Sequence, residues 1–109
     1  MEKEIVMYAR SYGCPYVRVA KRVLNQHQLA YREILIDKDA ESKKRVIDWT
    51  GFESVPTVIV ARPGEDLPLE PPTVLPAGSS PKGVNRNTMI TEPSERQFTE
   101  WLRQHSFID

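Results

Sequence analysis

Up to Ala61, short apolar runs alternate with amphipathic stretches along the chain. Residues 4–9 are mostly apolar and predict a buried strand, and residues 15–28 carry their apolar side chains on one helical face. Residues 29–36 predict a second strand and 55–61 a third. Residues 40–50 predict a second helix that carries Val46, Ile47 and Thr50 inward and ends at Gly51. This β-α-β-α-β order implies that the first two strands are parallel and joined by a right-handed crossover.

The pattern changes after Ala61. Residues 62–87 contain six prolines and no sustained periodicity, which predicts a long loop inserted before the last strand. Such a loop is either functional or a passive surface excursion, and its composition indicates no ligand. Residues 88–91 then predict a short strand, and 93–97 a capping box that opens a last helix. The interpretation is a single domain over residues 1–109, with 62–87 as an insertion.

Charge and hydropathy exclude several classes of partner. Fifteen basic and fifteen acidic residues cancel, which argues against a broad surface for nucleic acid or anionic membrane. The N-terminus is charged rather than apolar, and no apolar run approaches the length that spans a membrane. We therefore expect a cytoplasmic monomer with neither nucleic acid nor membrane as a partner.

Cys14 is the only cysteine and stands where the first strand ends and the first helix begins. Unpaired N–H groups and the helix dipole at a helix N-terminus favour a thiolate over a thiol. Pro15 suits the first helical position, where a missing N–H costs nothing. A single cysteine cannot close an internal disulfide, so the two interpretations are a reactive thiol and a buried structural cysteine.

Two short motifs together resemble the glutaredoxin family, within the thioredoxin fold. The first is Cys14-Pro15-Tyr16-Val17 after the first strand, and the second is Val55-Pro56-Thr57 before the third. The resemblance covers residues 4–61 and resumes over residues 88–105. It implies an α/β fold with a four-stranded mixed sheet flanked by three helices, the proline-rich insertion preceding the last strand, and Pro56 in a cis peptide bond beside Cys14.

The resemblance also implies a site. Cys14 would be the catalytic thiol, the Val55 backbone would pair with glutathione like a strand, and Arg10 and Lys43 would meet its carboxylates. The implied glutathione-binding residues are Arg10, Pro15, Tyr16, Lys43, Val55 and Pro56. Taken alone, Pro56 would be an ordinary trans proline, Lys43 a solvated helix lysine and Tyr16 a partly exposed residue of the first helical turn.

The chain also departs from the family pattern. Family members carry a Gly-Gly pair, then a small or polar residue and an Asp, to hold the γ-glutamyl end of glutathione. Nothing in this sequence matches it, and Gly83-Val84-Asn85-Arg86 is the nearest candidate. The cosubstrate is therefore expected to be glutathione or another low-molecular-weight thiol.

Val17 stands where a dithiol enzyme has its resolving cysteine, three positions after the first. The predicted function is a monothiol thiol-disulfide oxidoreductase that acts on protein mixed disulfides, in electron transport and cell redox homeostasis. One alternative is a [2Fe–2S] carrier, with Cys14 as the metal ligand, in a dimer completed by two glutathione thiols. Another is a redox-inactive binding module that uses the insertion.

Overall fold

A computed structural model describes residues 2–109. Its elements in chain order are β1 (Glu4–Ala9), α1 (Pro15–Gln26), β2 (Arg32–Leu35), α2 (Ala40–Thr50), β3 (Thr57–Ala61), β4 (Met89–Thr91) and α3 (Glu95–Gln104). None of these helices is long and apolar enough to span a membrane.

The four strands form one mixed sheet in the order β2-β1-β3-β4. β1 runs parallel to β2, with Val6 opposite Arg32, and antiparallel to β3, with Val6 opposite Ile59. β4 pairs antiparallel with β3. The two central strands are the most continuously apolar and are almost fully buried. The predicted four-stranded mixed sheet flanked by three helices, a thioredoxin-like α/β fold, is confirmed.

Aromatic side chains join the helices to the core. The ring of Tyr8 in β1 meets that of Trp49 in α2 edge to face, with centroids 5.4 Å apart. In α3, Phe98 and Trp101 are stacked at 5.9 Å and fully buried. Large aromatic residues supply much of the apolar area that a small core can remove from water.

Both predicted helix boundaries with capping signals are confirmed. Gly51 ends α2 in the left-handed conformation at φ +82°, which glycine adopts without a steric cost. Ser94 and Gln97 form a reciprocal capping box at the start of α3.

Three predicted boundaries are wrong by a few residues. α1 ends at Gln26 rather than at residue 28, and Leu29 donates its N–H to Leu24 O at 2.9 Å. Because residues 27–31 complete this helix end, β2 begins at Arg32 and not at residue 29. β3 begins at Thr57 rather than at residue 55.

One predicted core residue is also wrong. Ile47 is 39% exposed, although Val46 and Thr50 are buried as predicted. The buried stripe of α2 runs through Ser42, Val46 and Thr50, at spacings of four residues. Ile47 lies about 100° around the helix from Val46 and so leaves that face.

The insertion of residues 62–87 is attached to the sheet and to α3 near both of its ends. The N–H of Leu69 bonds to Val60 O at 2.9 Å, and the hydroxyl of Tyr8 donates to Asp66 O. At the other end, Gly83 N–H bonds to Thr91 O at 2.7 Å, and Trp101 Nε1 donates to Asn87 O at 2.8 Å. The insertion therefore brings its own residues to fixed places on the domain.

Candidate active site at the start of the first helix

Cys14 is the N-cap residue of α1, and Pro15 is the first residue of the helix. The backbone of Cys14 is extended, and its carbonyl accepts the first helical hydrogen bond, from Arg18 N at 3.1 Å. Its thiol lies 3.5 Å from Val55 O, to which it donates a hydrogen bond. Cys14 is 7% exposed, so only a small part of the residue is open to solvent.

The segment opposite the thiol has unpaired backbone groups. The Val55–Pro56 peptide bond is cis, and Pro56 O accepts the N–H of Glu92 at 2.8 Å. The N–H of Val55 makes no hydrogen bond within residues 2–109. A backbone N–H without a partner is a free hydrogen-bond donor, so this one is available to an extended ligand that passes the sulfur of Cys14.

A cavity of about 370 Å³, lined by three basic and three acidic residues, lies beside the β1–α1 turn. Arg10 and Lys43 line it together, as do Tyr12 and Glu53. The guanidinium of Arg10 lies 4.9 Å from the centroid of the Tyr12 ring, and its Nε is buried without a hydrogen-bond partner. Lys43 forms an ion pair with Glu53 at 3.1 Å. The structure thus brings Arg10 and Lys43 to one cavity, although Cys14 is not part of its lining.

Asp37 holds the turn that precedes Cys14. Its carboxylate accepts the N–H of Ser11 at 3.0 Å and also the Ser11 hydroxyl. These hydrogen bonds, chiefly the one from the hydroxyl, hold the pKa of Asp37 below its usual value. The ionised carboxylate therefore anchors the turn across the ends of β1 and β2.

The structure places one further cation beside Tyr16 that the sequence did not indicate. Lys82 Nζ lies 4.6 Å from the centroid of the Tyr16 ring, and interaction with Tyr16, chiefly its hydroxyl, raises the pKa of Lys82. Lys82 belongs to the insertion, and its bridge to Thr91 of β4 positions it. Composition alone carried no signal of this contact, because the insertion shows no periodicity.

The stretch Gly83–Arg86 is hydrogen-bonded to β4 and to α3 in the structure. Asn85 lies before β4, where it bridges to Ile90, and its side-chain amide donates to Gln104 at 2.6 Å. Gly83–Arg86, the nearest candidate for the family's Gly-Gly and Asp, therefore lies before β4. The residues after β4 are Glu92-Pro93-Ser94-Glu95, and Glu92 has a positive φ of 44°.

Within residues 2–109, no group of three or more His, Cys, Asp or Glu side chains is placed to hold a metal ion. Cys14 is the single thiol of the chain, so a cluster would need a second chain and external thiols.

A mixed four-stranded sheet with a cysteine at the N-terminus of its first helix and a cis proline opposite defines a thioredoxin-fold redox protein. The family model described as Glutaredoxin matches residues 5–62, just over half of the chain. The chain belongs to the glutaredoxin family, whose members are thiol oxidoreductases that in general use glutathione. A search of the curated proteins found no match.

Proposed function

We propose that this protein is a monothiol thiol-disulfide oxidoreductase in which Cys14 exchanges with mixed disulfides of glutathione. The observation that carries the proposal is the position of the sole thiol, at the N-terminus of α1 and 3.5 Å from Val55 O. Disulfide exchange needs a nucleophilic sulfur that an incoming disulfide can reach, and helix N-termini are common places for such sulfurs. A structural cysteine has no need of this position.

The reaction balances with one thiol. The Cys14 thiolate attacks the glutathionyl sulfur of a protein mixed disulfide, the original S–S bond breaks, and the protein thiolate leaves and takes up a proton. A second glutathione, as its thiolate, attacks the glutathionyl sulfur now bound to Cys14. Oxidised glutathione leaves, and the Cys14 thiolate is regenerated.

The position of Val17 supports the monothiol route. Val17 occupies the place three residues after Cys14, on the buried side of α1. No sulfur is present there to attack a Cys14 mixed disulfide, so an external thiol must resolve it. Glutathione supplies that thiol in the proposal.

Two groups of contacts are proposed to bind glutathione. The Val55 N–H and C=O flank the sulfur and are able to pair with the backbone of a short peptide. Arg10 and Lys43 place two cations in one cavity, where each is able to pair with a carboxylate. Pro15 and Tyr16 are proposed to form a wall of the glutathione site, and Lys82 adds a cation beside Tyr16.

The direct test is turnover of a glutathionylated peptide with reduced glutathione. We expect wild-type protein to release the peptide thiol catalytically, and Cys14→Ser to lose this activity completely. Mass spectrometry should find one glutathionyl group per wild-type chain when oxidised glutathione is supplied without a reductant. Because Ser is nearly isosteric with Cys, Cys14→Ser should fold like the wild type, which circular dichroism checks.

A companion variant examines the resolving position. Val17→Cys places a thiol three residues after Cys14, and it should allow the protein to reduce peptide disulfides through its own two thiols.

In the turnover assay, wild-type turnover no faster than that of Cys14→Ser would rule out the enzymatic function.

A further inference from the structure

A second cavity, of about 480 Å³, lies between the end of α2 and residues 72–79 of the insertion. Small-molecule sites are commonly about 300 to 1,000 Å³ in volume and mostly apolar. Phe52, Val74 and Leu75 line this one, and Phe52 and Val74 are 52% and 93% exposed. Neither Cys14 nor Lys43 belongs to its lining, so the cavity is separate from the candidate active site.

A buried cation forms part of the wall of this cavity. Arg86 is 4% exposed, and none of the ion pairs within residues 2–109 includes it. Its Nε donates to Thr73 O at 2.8 Å, and its Nη1 donates to Trp49 O at 2.6 Å. Burial lowers the pKa of Arg86. A charge taken out of water in this way is costly unless an opposite charge accompanies it.

The remaining terminal nitrogen of Arg86 is free. Nη2 makes no hydrogen bond within residues 2–109. Arg10 Nε is the one fully buried side-chain nitrogen or oxygen without a partner in that range, so Arg86 Nη2 keeps contact with solvent. Since Arg86 lines the cavity, its free N–H donors are available there.

We propose that this cavity binds a small organic monocarboxylate with an apolar body. The carboxylate would accept hydrogen bonds from Arg86 Nη2, and the apolar body would lie against Phe52, Val74 and Leu75. Charge-assisted bonds of a guanidinium to a carboxylate are stronger than neutral ones, and the low exposure of Arg86 limits their screening.

The charges around the cavity favour a single negative charge on the ligand. Asp48 is the other ionisable residue of the lining, and its carboxylate is paired with Lys44 at 2.7 Å. A phosphate, with close to two negative charges and three acceptor oxygens, would meet only one guanidinium and would be repelled by Asp48. A monocarboxylate matches one partly satisfied arginine.

A pair of nearly isosteric probes tests the charge requirement on the wild-type protein. Amide NMR titrations are carried out with 3-phenylpropionate and with its uncharged analogue 3-phenylpropanamide. We expect the carboxylate to bind at least about tenfold more tightly than the amide. The amide signals that shift should be those of residues 48–52 and 73–79.

Two variants of exposed valines in the insertion test the location. Val74→Glu adds a negative charge at the cavity and should weaken binding of 3-phenylpropionate at least about fivefold. Val84→Glu makes the same change at an exposed residue outside the lining and should have no effect. Equal affinity for the two probes, no binding of either, or shifts centred on Arg10 and Lys43 would each overturn the proposal.

Discussion

Lys43 and Lys44 are neighbours on α2, but they meet different surroundings. Lys43 lines the cavity beside Arg10, whereas Lys44 is paired with Asp48 at 2.7 Å and is not part of that lining. If glutathione places a carboxylate in the cavity beside Arg10, Lys43→Ala should raise KM for glutathione about three- to tenfold. This increase corresponds to a loss of about 1 kcal/mol of binding free energy, as expected for one exposed charge contact. Steady-state kinetics should show little change in kcat.

Lys44→Ala is the matched control, because it removes the same charge one residue further along α2. We expect its KM to stay within about twofold of the wild-type value, since long-range attraction between exposed charges is weak at physiological salt. Equal increases in both variants would mean that Lys43 acts through net charge alone and makes no local contact with the ligand.

Arg10 shows why single residues of the site were predictable only in part. Its position before Cys14 suggested a role beside the thiol, and the structure adds that its Nε is buried without a partner. A buried donor left unsatisfied costs about 1–3 kcal/mol, and a ligand in the cavity cannot reach this nitrogen because it is fully buried. The sequence pattern carries no information on this orphan donor, which depends on the packing around Tyr12.

At the scale of elements, Gly83 of the insertion lies against the start of α3. Its φ is +73°, and a Cβ at this position would lie 2.8 Å from the side-chain amide of Gln97. That amide accepts the N–H of Ser94 in the capping box. Gly83→Ala should therefore both strain the backbone and displace the cap, and urea unfolding should show a loss of about 2 kcal/mol.

Gly78 offers a matched control in the same insertion. Its φ is +78°, but nothing lies within 4 Å of the position that its Cβ would take. Gly78→Ala should cost about 1 kcal/mol, from the backbone conformation alone. Equal losses of unfolding free energy in the two variants would show that a clash between the added Cβ and Gln97 contributes nothing at position 83.

The elements were predictable from the sequence where their signals are local. Periodicity located all three helices, and Gly51 and the Ser94 capping box marked two helix ends correctly. The first residue of β2 was wrong because the hydrogen bond from Leu29 to Leu24 extends the end of α1. A bond of this kind depends on backbone conformation, which side-chain patterns report poorly.

At the scale of the whole molecule, long-range contacts of the insertion were the least predictable part. Lys82 reaches Tyr16, and Arg86 reaches Trp49, across sequence separations that no periodic pattern spans. Prolines and glycines indicate where regular structure stops, but they do not say what an irregular segment touches. The sequence therefore predicted the thioredoxin-like fold, but it did not predict the contacts that Lys82 and Arg86 make with the rest of the domain.

The same contacts predict that the insertion is rigid at both ends and mobile only between them. Leu69, Gly83 and Arg86 donate their N–H groups to Val60, Thr91 and Met89, respectively, at 2.7–2.9 Å. Val74 is 93% exposed, and its N–H makes no hydrogen bond within residues 2–109. In native-state hydrogen exchange, Leu69, Gly83 and Arg86 should exchange at least about 100-fold more slowly than Val74.

This difference in exchange rates distinguishes an insertion that is fixed at both ends from a lid that opens as a unit. In a lid, the whole segment opens together, and its amides share one low protection factor. In the structure, the two ends are bonded to the sheet and to α3, so they should open only with the domain, while the Val74 amide exchanges freely. Uniformly fast exchange from residue 62 to residue 87 would contradict these contacts, and it would leave Lys82 without a fixed place beside Tyr16.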